Sequence, residues 1–158
     1  MTTHAATPEK TEITTLVDGL SHLLADTYML YLKTQQFHWN VIGPNFYSLH
    51  KMFEEQYLAL AEAADTIAER IRALRAPAPA SYSSFLKLTS IEEANDNMDA
   101  HDMLQELLNG HELIAKQLSR LFLLAQADHD EVTLDMLITR KSYHDKTAWM
   151  LRSSLGLS

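Results

Sequence analysis

Histidine and carboxylate side chains recur at helical spacing in one stretch of the sequence and could bind a metal ion. His50 and Glu54 are four residues apart, as are Asp65 and Glu69, so each pair would lie on one face of a helix. Imidazole nitrogens combined with carboxylate oxygens suit Fe(II), and Zn(II) could compete for the same ligands. His50 and Asp65 are 15 residues apart, which is about 22 Å along a helix. One ion therefore cannot contact both residues of a single chain.

A second copy of the chain removes this difficulty. If two such helices meet antiparallel about a two-fold axis, His50 of one copy lies opposite Asp65 and Glu69 of the other, and the contact occurs twice. His38 precedes a chain reversal at residues 41–44 and could fold back beside His50 as a second nitrogen ligand. Histidine and carboxylate pairs are also common on solvent-exposed helix faces that bind nothing, so the spacing alone leaves both interpretations open.

The metal centre typical of di-iron helical bundles has a different signature. Such centres use Glu-x-x-His pairs that project into the bundle interior, and none of the 8 histidines in this sequence is preceded by Glu at that offset. A di-iron centre inside the bundle is therefore not expected. His111 and His144 lie on or beside apolar stripes, and we predict that they are hydrogen-bonded residues of the bundle.

The elements that must position these residues are helices. The chain has only 4 Gly and 4 Pro among 158 residues, and 46% of its residues are hydrophobic. The main helix breakers fall at Pro8, Gly43–Pro44 and Pro77–Pro79, and between them apolar residues recur every three or four positions. Four long helices with one long crossover predict an all-α, ferritin-like four-helix bundle.

The predicted helices run from Thr11 to about Asn40, from Phe46 to about Leu74, from a capping box at Ser90–Glu93 to about Ala127, and from the acidic turn at Asp128–Glu131 to the end. The crossover at residues 76–89 is rich in Pro and Ser, and its apolar residues from Tyr82 to Leu86 predict one short extra helix. Residues 1–10 are predicted to be a flexible tail, and residues 11–158 form the bundle domain.

Composition and charge argue against several classes of protein. Lys and Arg number 13 against 21 Asp and Glu, so the formal net charge is -8, which disfavours general attraction to nucleic acid or anionic lipid. No segment approaches the roughly 18 consecutive apolar residues of a membrane-spanning helix. Cys is absent, and residues 1–10 show no signal-peptide pattern. We therefore expect a cytoplasmic protein without disulfides or membrane association.

Several segments of the sequence together closely resemble the Dps-type mini-ferritins. They are Phe37–Phe46, Leu49–His50, Phe53–Glu54 and Asp65–Ile71, and the similarity continues through the crossover to the closing stretch around Trp149. The resemblance implies a homo-oligomeric hollow shell, a dodecamer, with ferroxidase centres between two-fold related subunits. In that arrangement, His38, His50 and Glu54 would come from one subunit. Asp65 and Glu69 would come from its partner.

The resemblance also implies the reaction. Fe(II) would be oxidised at the shared centre, preferably by hydrogen peroxide, and the Fe(III) product would be stored as a mineral inside the shell, which protects against oxidative damage. Trp39 would be a candidate electron donor, and a packed aromatic residue at a helix end is the alternative. The alternative function within the family is that of a DNA-compacting, nucleoid-associated protein with little iron chemistry. We expect weak or absent DNA binding, because Lys10 is the one basic residue before the first helix.

A second acidic cluster falls between the third and fourth predicted helices and comprises Asp128, Asp130, Glu131 and Asp135. Carboxylates at the start of a helix stabilise it through the helix dipole, which is one interpretation. The resemblance implies the other, in which this region lines three-fold pores of the shell. Asp130 and Asp135 would there draw Fe(II) inward.

Overall fold

A computed structural model describes residues 12–158 and has an all-α fold in that part of the chain. Its helices are α1 (Leu16–Asn40), α2 (Phe46–Ala73), α3 (Tyr82–Leu88), α4 (Ala100–Ala127) and α5 (Glu131–Ser154). The four long helices form the predicted bundle, and the short α3 lies in the crossover between α2 and α4. The tail predicted at residues 1–10 lies outside the described residues. None of the helices within residues 12–158 is both long and apolar enough to cross a membrane.

The long helices pack as antiparallel neighbours. α1 lies along α2, and α4 lies along α5. α1 is also antiparallel to α4, because Gly19 lies against Leu121 near one end of the pair while Lys33 Nζ contacts Glu106 Oε2 at 2.8 Å further along. α2 and α4 therefore run parallel, which is why a long crossover must join them. The largest fully buried side chains come from all four long helices: Leu20, Leu23, Leu30, Phe37, Phe53, Leu60, Ile67, Ile71, Leu107, Ile114, Leu118 and Leu137.

The predicted start of the third long helix is wrong. A capping box was expected at Ser90–Glu93, but α4 begins at Ala100. Asp99 is the N-cap of α4, and its Oδ1 accepts a hydrogen bond from the backbone N–H of Asp102 at 2.8 Å. Side-chain capping of this kind satisfies a backbone donor that the first helical turn leaves open.

A buried carboxylate on α1 explains why no helix begins at Ser90. Asp26 is fully buried, and its Oδ1 accepts hydrogen bonds from Thr89 Oγ1 at 2.7 Å and from Ser90 N at 2.6 Å. Burial raises the pKa of Asp26, although these hydrogen bonds oppose the rise. The contacts hold the end of the crossover against α1 and use the Ser90 N–H that the predicted capping box requires; residues 90–99 are not helical.

α1 also begins later than the predicted Thr11, which lies outside the described residues. Thr15 is the N-cap, and Thr15 with Asp18 forms a capping box. Thr15 Oγ1 accepts from Asp18 N at 3.1 Å, while Asp18 Oδ2 accepts from Thr15 N at 3.2 Å. These reciprocal bonds fix the first turn at Leu16. The predicted bounds of α2 agree with the structure to within one residue, and α5 begins at Glu131, in the predicted acidic turn, but ends at Ser154 and does not continue to the end as predicted.

Candidate metal centre

The candidate centre is built where α1 ends and α2 begins. The chain reverses direction over residues 41–45, and Gly43 adopts a φ of 124°, which residues with a side chain rarely reach. Buried Phe37 and Phe53 anchor the two helices beside the reversal, with ring centroids 6.4 Å apart. This packing places His38, at the end of α1, against His50, in the first turns of α2. The chain reversal predicted this neighbourhood.

The two histidines hold each other through their main chains. His38 Nδ1 lies 2.8 Å from the carbonyl oxygen of His50, and His50 Nδ1 lies 2.7 Å from the carbonyl oxygen of His38. A carbonyl oxygen only accepts, so each Nδ1 must carry the proton and donate it. In a neutral imidazole the Nε2 atom then keeps its lone pair. The rings stack with centroids 3.8 Å apart and planes 14° apart, so two parallel nitrogen ligands are available.

Aromatic neighbours fix the orientation of both rings. Tyr57 meets the His38 ring edge-on at 5.1 Å, and Phe46 stacks on the His50 ring at 5.1 Å. His38 is buried and His50 is half-buried. Hydrogen bonds that orient a histidine and set its tautomer are as important to a metal site as the ligand itself. The sequence reasoning did not identify Phe46 and Tyr57, although Phe46 precedes His50 by one helical turn.

Glu54 follows His50 by one turn of α2 and is held by a lysine. Lys51 Nζ contacts Glu54 Oε2 at 3.0 Å. The hydrogen bond and charge of Lys51 lower the pKa of Glu54, with smaller contributions from His38 and His50. Glu54 is therefore an ionised carboxylate one helical turn from His50, but the ligand atoms of Glu54 and the two imidazoles do not all lie within 4.8 Å of one another, and Lys51 holds one of the Glu54 oxygen atoms. Among residues 12–158, the one group of three such side chains whose ligand atoms all lie that close together is the exposed Asp99, His101 and Asp102.

Asp65 and Glu69 lie exposed further along α2. At about 100° per residue they share an arc of about 100° with His50 and Glu54, but His50 and Asp65 are separated by about 22 Å along the axis. One chain therefore does not bring all the predicted ligands together. Within that arc lies Leu58, a large apolar side chain that is 57% exposed. Trp39, one residue after His38, is 63% exposed.

In the acidic cluster between α4 and α5, Asp130 is the N-cap of α5. Its side chain accepts from Thr133 N at 2.9 Å and also from the Thr133 hydroxyl. Arg70 Nη2 donates to both carboxylate oxygens, at 2.9 and 3.1 Å. Burial opposes the charge of Asp130, but the hydrogen bonds from Thr133 and Arg70 outweigh burial and lower its pKa. Asp135 is exposed, as are Asp128 and Glu131.

His111 and His144 lie inside the bundle, and the prediction that they are hydrogen-bonded there is confirmed. Their Nδ1 atoms are 2.9 Å apart, and both side chains are fully buried. His111 comes from α4 and His144 from α5. Arg140 Nη2 approaches His144 Nε2 at 3.3 Å. The chain therefore contains a second pair of histidines in contact, in surroundings unlike those of His38 and His50.

Comparison with known proteins agrees with this architecture. The family model for the ferritin-like domain matches residues 17–157. The chain is 36% identical to DNA protection during starvation protein 2 of Bacillus anthracis over 141 residues, which cover 89% of this chain and 97% of that protein. The crystal structure of Dps from Staphylococcus aureus matches with a TM-score of 0.88 at 35% identity, covering 90% of this chain and 96% of that one. Dps from Vibrio cholerae, described as a member of a broad superfamily of ferritin-like diiron-carboxylate proteins, matches with a TM-score of 0.86 at 34% identity, covering 89% and 88%.

Proposed function

Because this chain belongs to the ferritin-like family and, within it, to the Dps proteins, we propose that it is an iron-sequestering ferroxidase. It binds Fe(II) at centres shared between two subunits, oxidises it and stores the Fe(III) product as a mineral in a hollow shell, protecting the cytoplasm against oxidative damage. Iron is substrate and cargo. The observation that carries the proposal is the reciprocal bonding of His38 and His50, which engages Nδ1 of each ring and leaves Nε2 as the atom that could bind a metal ion.

One subunit supplies only half of the centre. His38, His50 and Glu54 provide two nitrogens and one carboxylate. In the proposed register, His50 of one copy faces Asp65 and Glu69 of a two-fold related copy. The axis then passes midway between positions 50 and 65, next to Leu58. An exposed leucine at that point supports the register, because two copies of Leu58 would bury each other's apolar surface between the two centres.

The donor set suits iron oxidation. Neutral imidazole and carboxylate ligands bind Fe(II), and a centre with few protein ligands leaves positions open for an oxidant. When hydrogen peroxide is the oxidant, two Fe(II) ions each lose one electron, the O–O bond breaks, and two hydroxide ions form. Trp39 is the side chain that we propose as an auxiliary electron donor, because it is exposed and adjacent to His38. Zn(II) would compete for the same ligands without undergoing oxidation.

We propose that the subunits form a dodecameric shell and that Fe(II) enters it through acidic three-fold pores. Asp130 and Asp135 are the predicted pore residues. In this chain Asp130 already neutralises Arg70, whereas Asp135 is exposed. Asp135 therefore supplies the larger part of the attraction for cations, because a carboxylate paired with a guanidinium has little remaining field.

Protection of DNA needs no contact with DNA. Several similar proteins are named for DNA protection during starvation. Removing Fe(II) and peroxide together suppresses hydroxyl-radical formation, which protects DNA chemically. Each subunit carries a formal net charge of -8, and counterion release would contribute little to binding a polyanion. We therefore propose weak or absent DNA binding.

A subunit-mixing experiment tests the shared centre. His38→Ala/His50→Ala removes the nitrogen half, and Asp65→Ala/Glu69→Ala removes the carboxylate half. Each variant alone should lose peroxide-dependent Fe(II) oxidation. When the two are refolded together in equal amounts, half of the two-fold pairs are mixed and have one intact centre of two, so about a quarter of the wild-type rate should return.

The control is a mixture of His38→Ala/His50→Ala with Glu55→Ala, which alters an exposed carboxylate outside the proposed ligand set. In that mixture every carboxylate half and half of the nitrogen halves are intact, so about half of the centres are complete and about half of the wild-type rate should be measured. Assembly of every sample is measured by light scattering. A refolded mixture of the two inactive variants that assembles and remains inactive would contradict a centre shared between subunits.

A further inference from the structure

Unpaired polar atoms cluster in the interior of the bundle. Among the described residues, six buried side-chain nitrogen and oxygen atoms have no hydrogen-bond partner, and four of them belong to Gln56, His111 and Arg140. These atoms are Gln56 Nε2 and Oε1, His111 Nε2 and Arg140 Nε. Buried polar groups are normally satisfied by protein, solvent or ligand. Three of these four atoms are nitrogens that can donate, so they point to a guest that accepts hydrogen bonds in this region.

Gln56, His111 and Arg140 are all neighbours of Tyr143. Its hydroxyl donates to the main-chain carbonyl oxygen of Gln56 at 3.4 Å. The Arg140 guanidinium carbon lies 4.5 Å from the centre of the Tyr143 ring, and the His111 ring lies 6.1 Å away. Gln56 comes from α2, His111 from α4 and Arg140 from α5. The cluster is thus enclosed by three of the four long helices.

The hydrogen bonds determine which atoms in the cluster are donors. A guanidinium nitrogen only donates, so Arg140 Nη2 donates to His144 Nε2 at 3.3 Å. His144 then carries its proton on Nδ1 and donates it to His111 Nδ1 at 2.9 Å. Neutral His111 must therefore carry its proton on Nε2. The unpaired atom of His111 is a buried N–H donor, and Arg140 Nε is another.

The cluster also contains an uncompensated positive charge. None of the ion pairs formed among residues 12–158 involves Arg140. Burial lowers the pKa of Arg140, but a guanidinium remains charged at neutral pH. Glu62, which is exposed on α2, acts on it only at longer range. The Arg140 side chain is half-buried and its Nε atom is shielded from solvent, so its charge is partly removed from water and a nearby counter-charge stabilises it.

We propose that the bundle interior binds one small monovalent anion, such as chloride, between α2, α4 and α5. Arg140 Nε, His111 Nε2 and the side-chain amide of Gln56 donate hydrogen bonds to it, and the guanidinium neutralises its charge. A metal cation does not fit, because Arg140 repels it and both Nδ1 atoms are already engaged. A single water molecule would satisfy some of the donors but would leave the charge of Arg140 unbalanced.

The direct test uses crystals of the wild-type assembly soaked in sodium bromide. Bromide replaces chloride and is identified by its anomalous scattering. We expect one bromide in each subunit within hydrogen-bond distance of Arg140 Nε and His111 Nε2. Density at that position without an anomalous signal would indicate water and would overturn the proposal. Bromide bound only on the outer surface of the subunit would overturn it as well.

A measurement in solution tests the same site. Thermal unfolding is compared in sodium chloride and in sodium gluconate, whose anion is too large for the site, at equal concentration. Chloride should raise the midpoint of the wild-type chain by about 2–4 °C. Arg140→Met should abolish the difference, and Arg120→Met, which changes an exposed arginine on α4, should retain it. An undiminished chloride effect in Arg140→Met would refute the site, and the bromide experiment decides the matter if that variant does not fold.

Discussion

Two pairs of histidines touch within this molecule, and the difference between them lies in what each Nδ1 atom binds. At the surface pair, His38 and His50, both Nδ1 atoms donate to main-chain carbonyl oxygens. At the interior pair, His111 and His144, the Nδ1 atoms bind each other. The surface pair therefore keeps two Nε2 lone pairs for a metal ion. The interior pair keeps one N–H, which can only donate.

The nearest charges reinforce this difference. The surface pair has ionised Glu54 one helical turn away, which favours a cation. The interior pair has Arg140 against it, which disfavours a cation and favours an anion. Burial lowers the pKa of His111 to about 3, and burial also lowers the pKa of His144. The residue type is the same in both pairs, so the hydrogen-bond partners and the neighbouring charge decide which kind of ion each pair can bind.

Removing the negative charge beside His38 and His50 is expected to have the largest effect on the difference between the two pairs. Glu54→Gln keeps the shape of the side chain but removes its charge, so the proposed centre would lose one anionic ligand for Fe(II). We expect the rate of peroxide-dependent Fe(II) oxidation to fall about 100-fold, at the upper end of the losses seen when groups around a metal site are altered. The measurement is the appearance of ferric absorbance after mixing with Fe(II) and peroxide.

Glu55→Gln is the matched control for that variant. It removes the same charge from the adjacent, exposed position on α2, so long-range electrostatic effects are nearly equal. Its oxidation rate should remain within about twofold of the wild-type rate, because screening at physiological salt weakens the influence of exposed charges. Equal losses in the two variants would mean that Glu54 acts through general surface charge and is not a ligand.

Lowering the pH should reduce the free energy of unfolding through the interior histidine pair. The folded chain holds His111 at a pKa of about 3, against 6.5 for an unperturbed histidine. Between these values the unfolded chain binds more protons, so stability falls as the pH is lowered through this range and is fully present above about 6.5. From pH 7 to pH 5, His111 should reduce the free energy of unfolding by about 2 kcal/mol. Denaturant titrations at both pH values measure this loss.

His111→Gln isolates the contribution of His111. Its free energy of unfolding should be lower than that of the wild type at pH 7, but between pH 7 and pH 5 it should fall by about 2 kcal/mol less than the wild-type value. His101→Gln changes an exposed histidine on α4 and should keep the wild-type dependence. The pKa of Asp26 is raised by burial, and this carboxyl group contributes in the opposite direction in every variant, so it cancels in the comparison. The same loss in His111→Gln as in the wild type would refute the assignment.

The sequence was sufficient for the elements whose ends depend on local residues. The break at Gly43–Pro44 and the apolar periodicity after it predicted α2 correctly, and the acidic turn before residue 131 predicted the start of α5. The predicted start of α4 was wrong because the Ser90 N–H of the expected capping box donates a hydrogen bond to Asp26, which is far away in sequence. A local capping pattern cannot reveal that its backbone donor is used by another helix.

In the candidate sites, too, the sequence predicted the features that depend on local residues and not those that depend on the folded chain. Helical spacing predicted which residues share the exposed face of α2, and the chain reversal predicted that His38 lies beside His50. The tautomer of each ring depends on two carbonyl oxygens whose directions are set by the folded loop, so the sequence could not give it. The pairing of Asp130 with Arg70, and that of Lys51 with Glu54, likewise depends on side-chain conformations in the fold. The ligand and pore assignments themselves stay predictions.

The smallest effect should come from removing the positive charge at the surface pair. Lys51→Met deletes the ammonium group that lies 3.0 Å from Glu54 Oε2 and must be displaced when a cation binds. Because the Lys51 side chain is half exposed, solvent and salt screen its charge, and Fe(II) should bind only about two- to fivefold more tightly. Anaerobic calorimetry at low and high salt measures the gain, which should shrink at high salt, and Lys116→Met on α4 is the control. Unchanged or weaker binding would show that Lys51 does not compete with iron. The contrast with Arg140 is informative, since Arg140 is half-buried, its positive charge is screened less than that of Lys51, and its removal should abolish the anion site altogether.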